Sequence, residues 1–383
     1  MNPDKEIKSL TGLRGIAAVY VMMFHFFIGQ RFTNPLTTLL AHGYLAVDVF
    51  FVLSGFVMTL TYSHLFDRGR FFSSYGKFLG RRIARVYPLY LVGTLCAFIL
   101  IRCKILEPPH LKLGFALVWN LFMVQAWGLT ESLDGPGWSI SAEWAAYLLY
   151  PLLLLCLART RPGRWIAFIM STGVLVCLTV IPTAHAHAVD VAALLDVHTS
   201  RYALPVVRCL SEFVLGMLAF QVYTSPRAKG FASMIRVHDV LALAVVLLLM
   251  FPRTDLLVAC LIPPLLVGLA YGGSHVARIL SAAPFEIAGR YSYSIYMIHT
   301  LLYGILGWIH YQINAAGFKH GQTVAALVGI GLTIPLSALA YQTIEKPGRA
   351  LIRSLLEGRT APVKTQIAAS SLSPVKVGSE NQS

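Results

Sequence analysis

An arginine and a histidine stand eleven positions apart in the apolar stretch LTGLRGIAAVYVMMFH, residues 10–25. Eleven residues make close to three helical turns, so Arg14 and His25 share one helix face and lie about 16 Å apart along its axis. An imidazole there is a candidate general base, and a guanidinium is a ligand for anions. Simpler explanations are also open: a snorkelling anchor for Arg14 and a hydrogen-bonded core residue for His25.

Several further polar side chains lie inside apolar stretches and weaken the simpler explanation of His25. Each of them is costly to expose to lipid. They are Asp48, Ser139, Ser141, Glu143, Glu212 and His299. Together they predict a polar cavity that opens towards the outer half of a bilayer. There a histidine base would be accompanied by carboxylates that orient it or hold a hydroxylated acceptor.

A cluster of arginines occurs in the stretch GRRIARVYPLY, residues 80–90. Arg81, Arg82 and Arg85 come just before an apolar segment, where basic residues also serve as topology signals. Three guanidinium groups beside a helix end would equally suit a ligand that carries several phosphates. Arg14 is expected at the same membrane surface, so both explanations extend to it.

Metal and redox chemistry have little support in the sequence. No metal-ligand spacing such as HExxH is present, and we expect no metal site. The six cysteines are scattered, mostly within apolar segments, and form no CxxC or disulfide spacing. We therefore interpret them as packing residues.

The composition identifies the class of protein in which these residues must be positioned. Of 383 residues, 56% are hydrophobic and 13% are charged, and the mean hydropathy is +0.67. Soluble domains carry about 25% charged residues, so the sequence predicts an integral membrane protein. The net charge of +14 then marks cytoplasmic loops, and we expect no nucleic-acid partner.

Apolar segments of membrane length predict an all-α, polytopic bundle of about ten transmembrane helices. These segments are residues 13–29, 44–63, 86–102, 138–157, 165–182, 205–223, 237–252, 255–272, 288–308 and 322–342. Residues 113–127 are shorter and contain Asn120 and Gln125. If they do not span, 23 Lys and Arg fall inside and 8 outside, in agreement with the positive-inside rule. We therefore predict that residues 113–127 are re-entrant or interfacial.

Both termini are cytoplasmic in this topology. Residues 1–350 form one membrane domain, with no clear internal repeat. Residues 351–383 form a cytoplasmic tail, and the Ser-, Val-, Lys- and Pro-rich composition of its last part predicts that it is largely disordered.

Five stretches resemble, in order, the sequence blocks of the acyltransferase 3 family of membrane O-acyltransferases. They are LTGLRGIAAVYVMMFH, GYLAVDVFFVLSGF, FLGRRIARVYPLY, WSISAEWAAYLLYP and YSYSIYMIH. The resemblance covers about residues 8–350. It implies transfer of an acyl group, often acetyl or succinyl, from cytoplasmic acyl-CoA to carbohydrate hydroxyls of bacterial surface or secreted polymers. It also implies a catalytic role for His25, an essential supporting role for Arg14 and a location in the bacterial inner membrane.

The resemblance agrees with the layout of the polar residues. An acyl-CoA with its phosphates near Arg14, Arg81, Arg82 and Arg85 would extend its pantetheine arm along the first helix towards His25. Acyl-CoA is then a co-substrate, and we expect no further cofactor. His25 would act as general base or form an acyl-histidine, and the sequence leaves both open. Asp48 is the candidate for orienting the imidazole, and Glu143 for holding the sugar or relaying a proton. Ser139, Ser141, Glu212 and His299 are assigned to the acceptor or the cavity.

A proton-coupled transporter or flippase is the alternative function. In that case His25, Asp48 and Glu143 would form a proton relay, and buried ionisable groups in ten spans fit by composition alone. The ordered family blocks favour the enzyme.

Overall fold

The protein is described by a computed structural model that covers residues 6–27, 34–66, 71–157, 160–181, 193–197, 202–226, 230, 234–315 and 321–356. The secondary structure of these residues is entirely helical, in agreement with the predicted all-α class. The α-helices are α1 Lys8–Phe27, α2 Pro35–Ala41, α3 Ala46–Tyr62, α4 Phe71–Arg102, α5 Leu113–Leu121, α6 Gly137–Leu157, α7 Arg161–Val180, α8 Leu204–Thr224, α9 Ile235–Leu248, α10 Asp255–Tyr271, α11 His275–Leu280, α12 Ala283–Ala315, α13 Gly321–Ala340 and α14 Lys346–Leu356.

Each of the ten predicted spans overlaps one of these helices. Among the described residues, seven helical segments are long and apolar enough to cross a membrane. They are Lys8–Phe27, Pro35–Leu65, Phe71–Arg102, Gly137–Cys156, Arg161–Val180, Leu204–Thr224 and Val324–Leu356. The remaining predicted spans correspond to α9, α10 and α12. The count of ten and the side of each terminus stay predictions.

The segment between α4 and α6 contains only a short helix. With nine residues, α5 extends about 14 Å, less than half of a hydrocarbon core of roughly 30 Å. Polar residues of this segment hydrogen-bond the turns after α5 to each other and to α4. The Asn120 side chain bonds the backbone of Glu131 and Leu133, and Gln125 Nε2 donates to Tyr90 Oη over 3.0 Å. These amides therefore serve local structure.

Helices α1 and α12 touch backbone to backbone. A Cβ atom on Gly15 would lie 2.5 Å from the Gly289 nitrogen, and one on Gly289 would lie 2.0 Å from the Thr11 carbonyl oxygen. No side chain fits at either position. Small residues allow this close approach in membrane helix pairs, where dispersion contacts rather than hydrophobic burial hold the helices together. The contact fixes how the first parts of α1 and α12 face each other.

Helices α3 and α8 form a second contact of the same kind. A Cβ atom on Gly55 would lie 1.9 Å from the Phe213 carbonyl oxygen, and one on Gly216 would lie 1.9 Å from that of Val52. Asp48 comes seven residues before Gly55, and Arg208 comes eight before Gly216. Two turns of each helix thus separate these charged residues from the crossing, which brings them to the same level.

The C-terminal part of the described chain is helical beyond the predicted domain boundary. After α13, a π-helical segment, Tyr341–Glu345, leads directly into α14, which packs along α4. Helix α14 ends at Leu356, so the first residues of the predicted tail are helical. The rest of that tail, residues 357–383, lies outside the described residues.

Candidate functional site

The structure places the rings of His25 and His299 side by side. Nδ1 of His25 lies 2.9 Å from the Val21 carbonyl oxygen, and Nδ1 of His299 lies 3.0 Å from that of Ile295. A carbonyl oxygen only accepts hydrogen bonds, so each Nδ1 carries a hydrogen. His299 Nε2 is then an acceptor and lies 3.3 Å from His25 Nδ1. The lone pair of a neutral His25 consequently lies on Nε2, the atom from which base or nucleophilic chemistry would proceed.

His299 therefore takes the position that the sequence analysis gave to Asp48. Both carboxylate oxygens of Asp48 accept hydrogen bonds from Arg208, one from Nε at 3.1 Å and the other from Nη2. The structure thus pairs Asp48, predicted to orient the His25 imidazole, with Arg208 instead. The physical reason is the α3–α8 crossing, which brings Asp48 level with Arg208.

Glu212 completes a fully buried ionic cluster with Asp48 and Arg208. Its Oε1 lies 3.6 Å from Arg208 Nε, and both of its carboxylate oxygens are buried without a hydrogen-bond partner among the described residues. The Trp138 ring centroid lies 5.9 Å from the guanidinium carbon of Arg208. Glu212 was expected to line the polar cavity, and the structure places it in this cluster instead.

A cavity of about 840 Å³, including its open mouth, lies between α1, α3, α4, α6 and α12. Its α3 lining extends from Val47 to Met58, a length of about 16 Å along the helix. Arg14, Arg82 and Arg85 line the cavity, as do Ser139 and Glu143 near the start of α6. The structure thus brings together five of the residues predicted from the sequence.

The three arginines of the cavity differ in their partners. Arg82 Nη2 donates to the Tyr147 hydroxyl over 2.5 Å, and Arg85 forms an ion pair with Glu345. The Nε atoms of Arg14 and Arg82 are both buried without a hydrogen-bond partner in the described part of the chain, but Arg14, unlike Arg82, also forms no hydrogen bond there through its other nitrogens. A buried guanidinium donor without a partner is costly, so Arg14 is the cation best suited to receive an anionic ligand. The remaining predicted arginine, Arg81, lies one turn before Arg85 and does not line the cavity.

Glu345 is a site residue that the sequence analysis missed. It is fully buried in the π-helical segment and accepts hydrogen bonds from Arg85, from Ser294 over 2.8 Å and from Arg349 over 2.7 Å. It therefore compensates one of the cavity arginines. An acidic residue at the end of the last apolar stretch was the available signal.

Tyr296 lies between the cavity and the histidine pair. It lines the cavity, and its ring centroid is 5.8 Å from that of His299. Ser139 Oγ donates to the Pro136 carbonyl over 3.0 Å, so the Tyr296 hydroxyl donates to Ser139 over 2.6 Å. Neither His25 nor His299 is itself a lining residue. Tyr296 thus separates the cavity from the candidate base.

Ser141, predicted to serve the acceptor or the cavity, is not among the residues that line this cavity. Its Oγ accepts a hydrogen bond from the Ala126 backbone over 3.1 Å, and its carbonyl accepts one from Trp127 Nε1 over 3.0 Å. Ser141 lies two residues beyond Ser139, on the opposite side of α6. It consequently anchors the turns that follow α5.

Asp134, in the same turns, is a buried carboxyl near the histidine pair. Its Oδ1 accepts a hydrogen bond from Thr300 Oγ1 over 3.3 Å, and its Oδ2 has no partner in the described residues. Burial raises the pKa of the Asp134 carboxyl to about 7. The sequence analysis did not single out this residue.

The described residues contain no group of three His, Cys, Asp or Glu side chains arranged to hold a metal ion. The arrangement that they do contain is a histidine with its base atom defined, a neighbouring cavity and an unpartnered arginine in that cavity. Such a set can activate a hydroxyl or accept an acyl group without a metal.

Comparison with known proteins identifies the family. A family model described as an acyltransferase domain matches residues 7–342. The chain is 30% identical to Acyltransferase MdmB of Streptomyces mycarofaciens, with 94% of this chain and 95% of that protein covered. It is 24% identical to O-acetyltransferase OatA of Staphylococcus aureus, covering 91% of this chain but only 58% of that protein. No solved structure matches. The chain therefore belongs to the acyltransferase 3 family, and the protein is an O-acyltransferase with a helical membrane domain.

Proposed function

We propose that the protein transfers an acyl group, acetyl in the first instance, from cytoplasmic acyl-CoA to a hydroxyl of a surface or exported polysaccharide or oligosaccharide. The acetyl assignment is supported by the name of OatA, an O-acetyltransferase. The carbohydrate acceptor and the bacterial inner membrane are supported by the family resemblance. Acyl-CoA acts as co-substrate in this proposal, and no other cofactor takes part.

The observation that carries the proposal is the cavity shared by arginines and by Ser139 and Glu143. Its length along α3 suits an extended thioester arm. In the predicted topology Arg14, Arg82 and Arg85 are near the cytoplasmic end, so the donor would enter with its phosphates there.

Arg14 is the residue that we assign to the donor anion. Arg82 and Arg85 already interact with Tyr147 and Glu345, whereas Arg14 forms no hydrogen bond or ion pair with any described residue. A phosphate or thioester-arm carbonyl would supply the missing acceptor. Glu143, one turn beyond Ser139 on α6, is assigned to the acceptor hydroxyl or to a proton relay.

In the general-base form of the reaction, His25 Nε2 removes the proton of the acceptor hydroxyl as its oxygen attacks the thioester carbonyl. The carbon–sulfur bond then breaks, and the CoA thiolate takes the proton back from His25. In the covalent form, His25 Nε2 attacks the thioester carbonyl, the carbon–sulfur bond breaks, and the CoA thiolate leaves. The acceptor hydroxyl then attacks the acyl carbon, the bond between Nε2 and the acyl group breaks, and the hydroxyl proton passes to the CoA thiolate. Both forms use the same tautomer of His25.

For either form, the thioester must pass Tyr296. This side chain is held by its hydrogen bond to Ser139 and contacts the His299 ring. Its movement away from Ser139 would join the cavity to the histidine pair. We assign the Ser139–Tyr296 bond to the resting state of the enzyme.

The test uses purified protein in proteoliposomes with acetyl-CoA and an oligosaccharide acceptor. Release of CoA thiol is followed with a thiol reagent, and the oligosaccharide is analysed by mass spectrometry. We expect acceptor-dependent thiol release and an acetylated product, both lost in His25→Ala. Movement of unmodified oligosaccharide across the membrane without thiol release would support the transporter alternative and overturn the proposal.

A further inference from the structure

A second large cavity lies away from the site described above, between α7, α8 and α10. It has a volume of about 930 Å³, including its open mouth, and is lined almost entirely by hydrocarbon side chains, including Phe168, Leu215, Val222 and Val267. Among the described residues that line it, Thr172 and Cys260 alone carry a polar or thiol group. A cavity with this lining can accept an apolar chain, but it has almost no hydrogen-bonding groups for a carbohydrate or a nucleotide. We call it the α7–α8 groove.

The groove lies in one leaflet of the membrane. Its lining residue Phe168 belongs to the first half of α7, and Leu218 and Val222 belong to the second half of α8. These helices are both candidate membrane spans. All three residues are therefore nearer to the membrane surface at which α7 begins and α8 ends. The occupant is thus a molecule that reaches the hydrocarbon layer from that surface.

A cation stands at the surface end of the groove. Arg164 precedes Phe168 and Thr172 by four and eight residues, so the three share one face of α7. Helical side chains lean towards the N-terminus, which places the Arg164 guanidinium on the surface side of Phe168. Its Nε is buried without a hydrogen-bond partner, and the side chain forms no ion pair with any described residue.

The neighbouring residues mark the level of the lipid headgroups. Trp165 is 68% exposed, and tryptophan is enriched at the membrane–water interface. Beyond it, Ile169 and Met170 are 65% and 63% exposed, as expected for the lipid-facing side of a peripheral helix. An arginine at the membrane interface suits the phosphate of an anionic phospholipid, and the apolar groove next to it suits an acyl chain of the same lipid.

We propose that the α7–α8 groove binds one acyl chain of an anionic phospholipid whose phosphate is held by Arg164. The charge of Arg164 favours this occupant over a neutral lipid, because a guanidinium binds phosphate through charge-assisted hydrogen bonds. The inference does not depend on the identity of the acyl donor or acceptor.

Native mass spectrometry of the detergent-solubilised protein with added phosphatidylglycerol tests the proposal. Val222→Trp fills the groove from a residue that is 51% exposed, so it avoids overpacking the core. Val246→Trp, on α9 and 47% exposed, is the matched control outside the groove. Arg164→Gln removes the cation, and Arg161→Gln is its control three residues earlier on the same helix.

We expect one tightly bound phosphatidylglycerol per protein. Val222→Trp and Arg164→Gln should each weaken the binding of phosphatidylglycerol about tenfold, which corresponds to about 1.4 kcal/mol of binding free energy. Both controls should match the unmodified chain, and phosphatidylcholine should bind about as weakly as phosphatidylglycerol does to Arg164→Gln. Equal losses in Val222→Trp and Val246→Trp would overturn the groove assignment. Unchanged binding in Arg164→Gln would overturn the headgroup assignment, and a protein dimer lost only in Val222→Trp would identify a second copy as the occupant.

Discussion

His299 Nε2 lies 3.3 Å from His25 Nδ1, and each Nδ1 is also within hydrogen-bond distance of a carbonyl oxygen one helical turn earlier. The two histidines come from the first and the twelfth helix, 274 residues apart in the chain. His299 is neutral in this arrangement because its Nε2 accepts rather than donates. It therefore acts on His25 as a positioning residue that fixes the tautomer, the role that a carboxylate or carbonyl has beside other catalytic histidines.

Substitution of the two histidines should give different kinetic results. His25→Ala removes the proposed base, and we expect kcat to fall by about 10²–10⁴-fold because general-base catalysis contributes that much. His299→Phe should lower kcat less, with little change in KM for acyl-CoA. His299→Gln keeps an acceptor atom and should recover part of the loss. If kcat is lowered equally in His299→Phe and His299→Gln, His299 does not position His25 and serves only to pack the helices.

Arg14 should act on the donor rather than on the chemical step. Arg14→Ala is expected to raise KM for acyl-CoA about tenfold or more, since hydrogen bonds to charged groups contribute about 1.5–3 kcal/mol. Arg14→Lys should restore the charge but only part of the affinity, because an ammonium lacks the planar fork of donors. Steady-state kinetics with acyl-CoA varied at saturating acceptor make the measurement. A lower kcat with unchanged KM would contradict the assignment.

Asp48 should prove to be a stability residue. Asp48→Asn leaves the buried Arg208 with Glu212 alone, and removing one partner of a buried ion pair costs about 3–5 kcal/mol. We expect a markedly lower Tm, with near-normal KM and kcat for the folded fraction. The double variant Asp48→Asn, Arg208→Gln should recover part of the stability. Normal Tm with abolished turnover would instead restore the catalytic assignment made from the sequence.

Asp134 should make stability depend on pH. Its pKa is raised to about 7 by burial, from an ordinary value of 3.8, so the native state holds a proton that the unfolded state has lost. Stability is therefore highest below the ordinary pKa, falls as the pH rises from about 4 to about 7, and then levels off. Asp134→Asn should flatten this dependence in thermal unfolding measured across that range. An unchanged pH profile in the variant would show that Asp134 is not the titrating group.

The ten-span topology predicts that residues 128–137 face outside and residues 158–164 face the cytoplasm. Leu133 is only 6% exposed and would be protected on either side, whereas Leu129 is 38% exposed and suits labelling. In a chain without its native cysteines, Leu129→Cys should react with an impermeant maleimide in intact cells, and Thr160→Cys should react only after lysis. The reverse pattern would mean that residues 113–127 cross the membrane.

The sequence was informative where local periodicity and hydropathy determine the structure. Apolar length located the helices, and the spacing of Arg14 and His25 identified two residues of the candidate site. Which helices pack against each other could not be predicted from the sequence, because the packing depends on which glycines allow two backbones to touch. Asp48 was therefore assigned to His25, although Arg208 and Glu212, four residues apart in RCLSEFVLG, already formed a charged pair on one helix face.

The two glycine contacts also determine which parts of the protein can move during turnover. Helices α1 and α12 cannot separate or slide without losing the backbone contact at Gly15 and Gly289, and the same holds for α3 and α8 at Gly55 and Gly216. The cavity is bounded by members of both pairs together with α4 and α6. It can therefore widen by displacement of one pair against the other while the distance between His25 and His299 stays constant. The enzyme thus combines an expandable binding chamber with a rigid reaction centre, so donors of different size would meet the same base geometry.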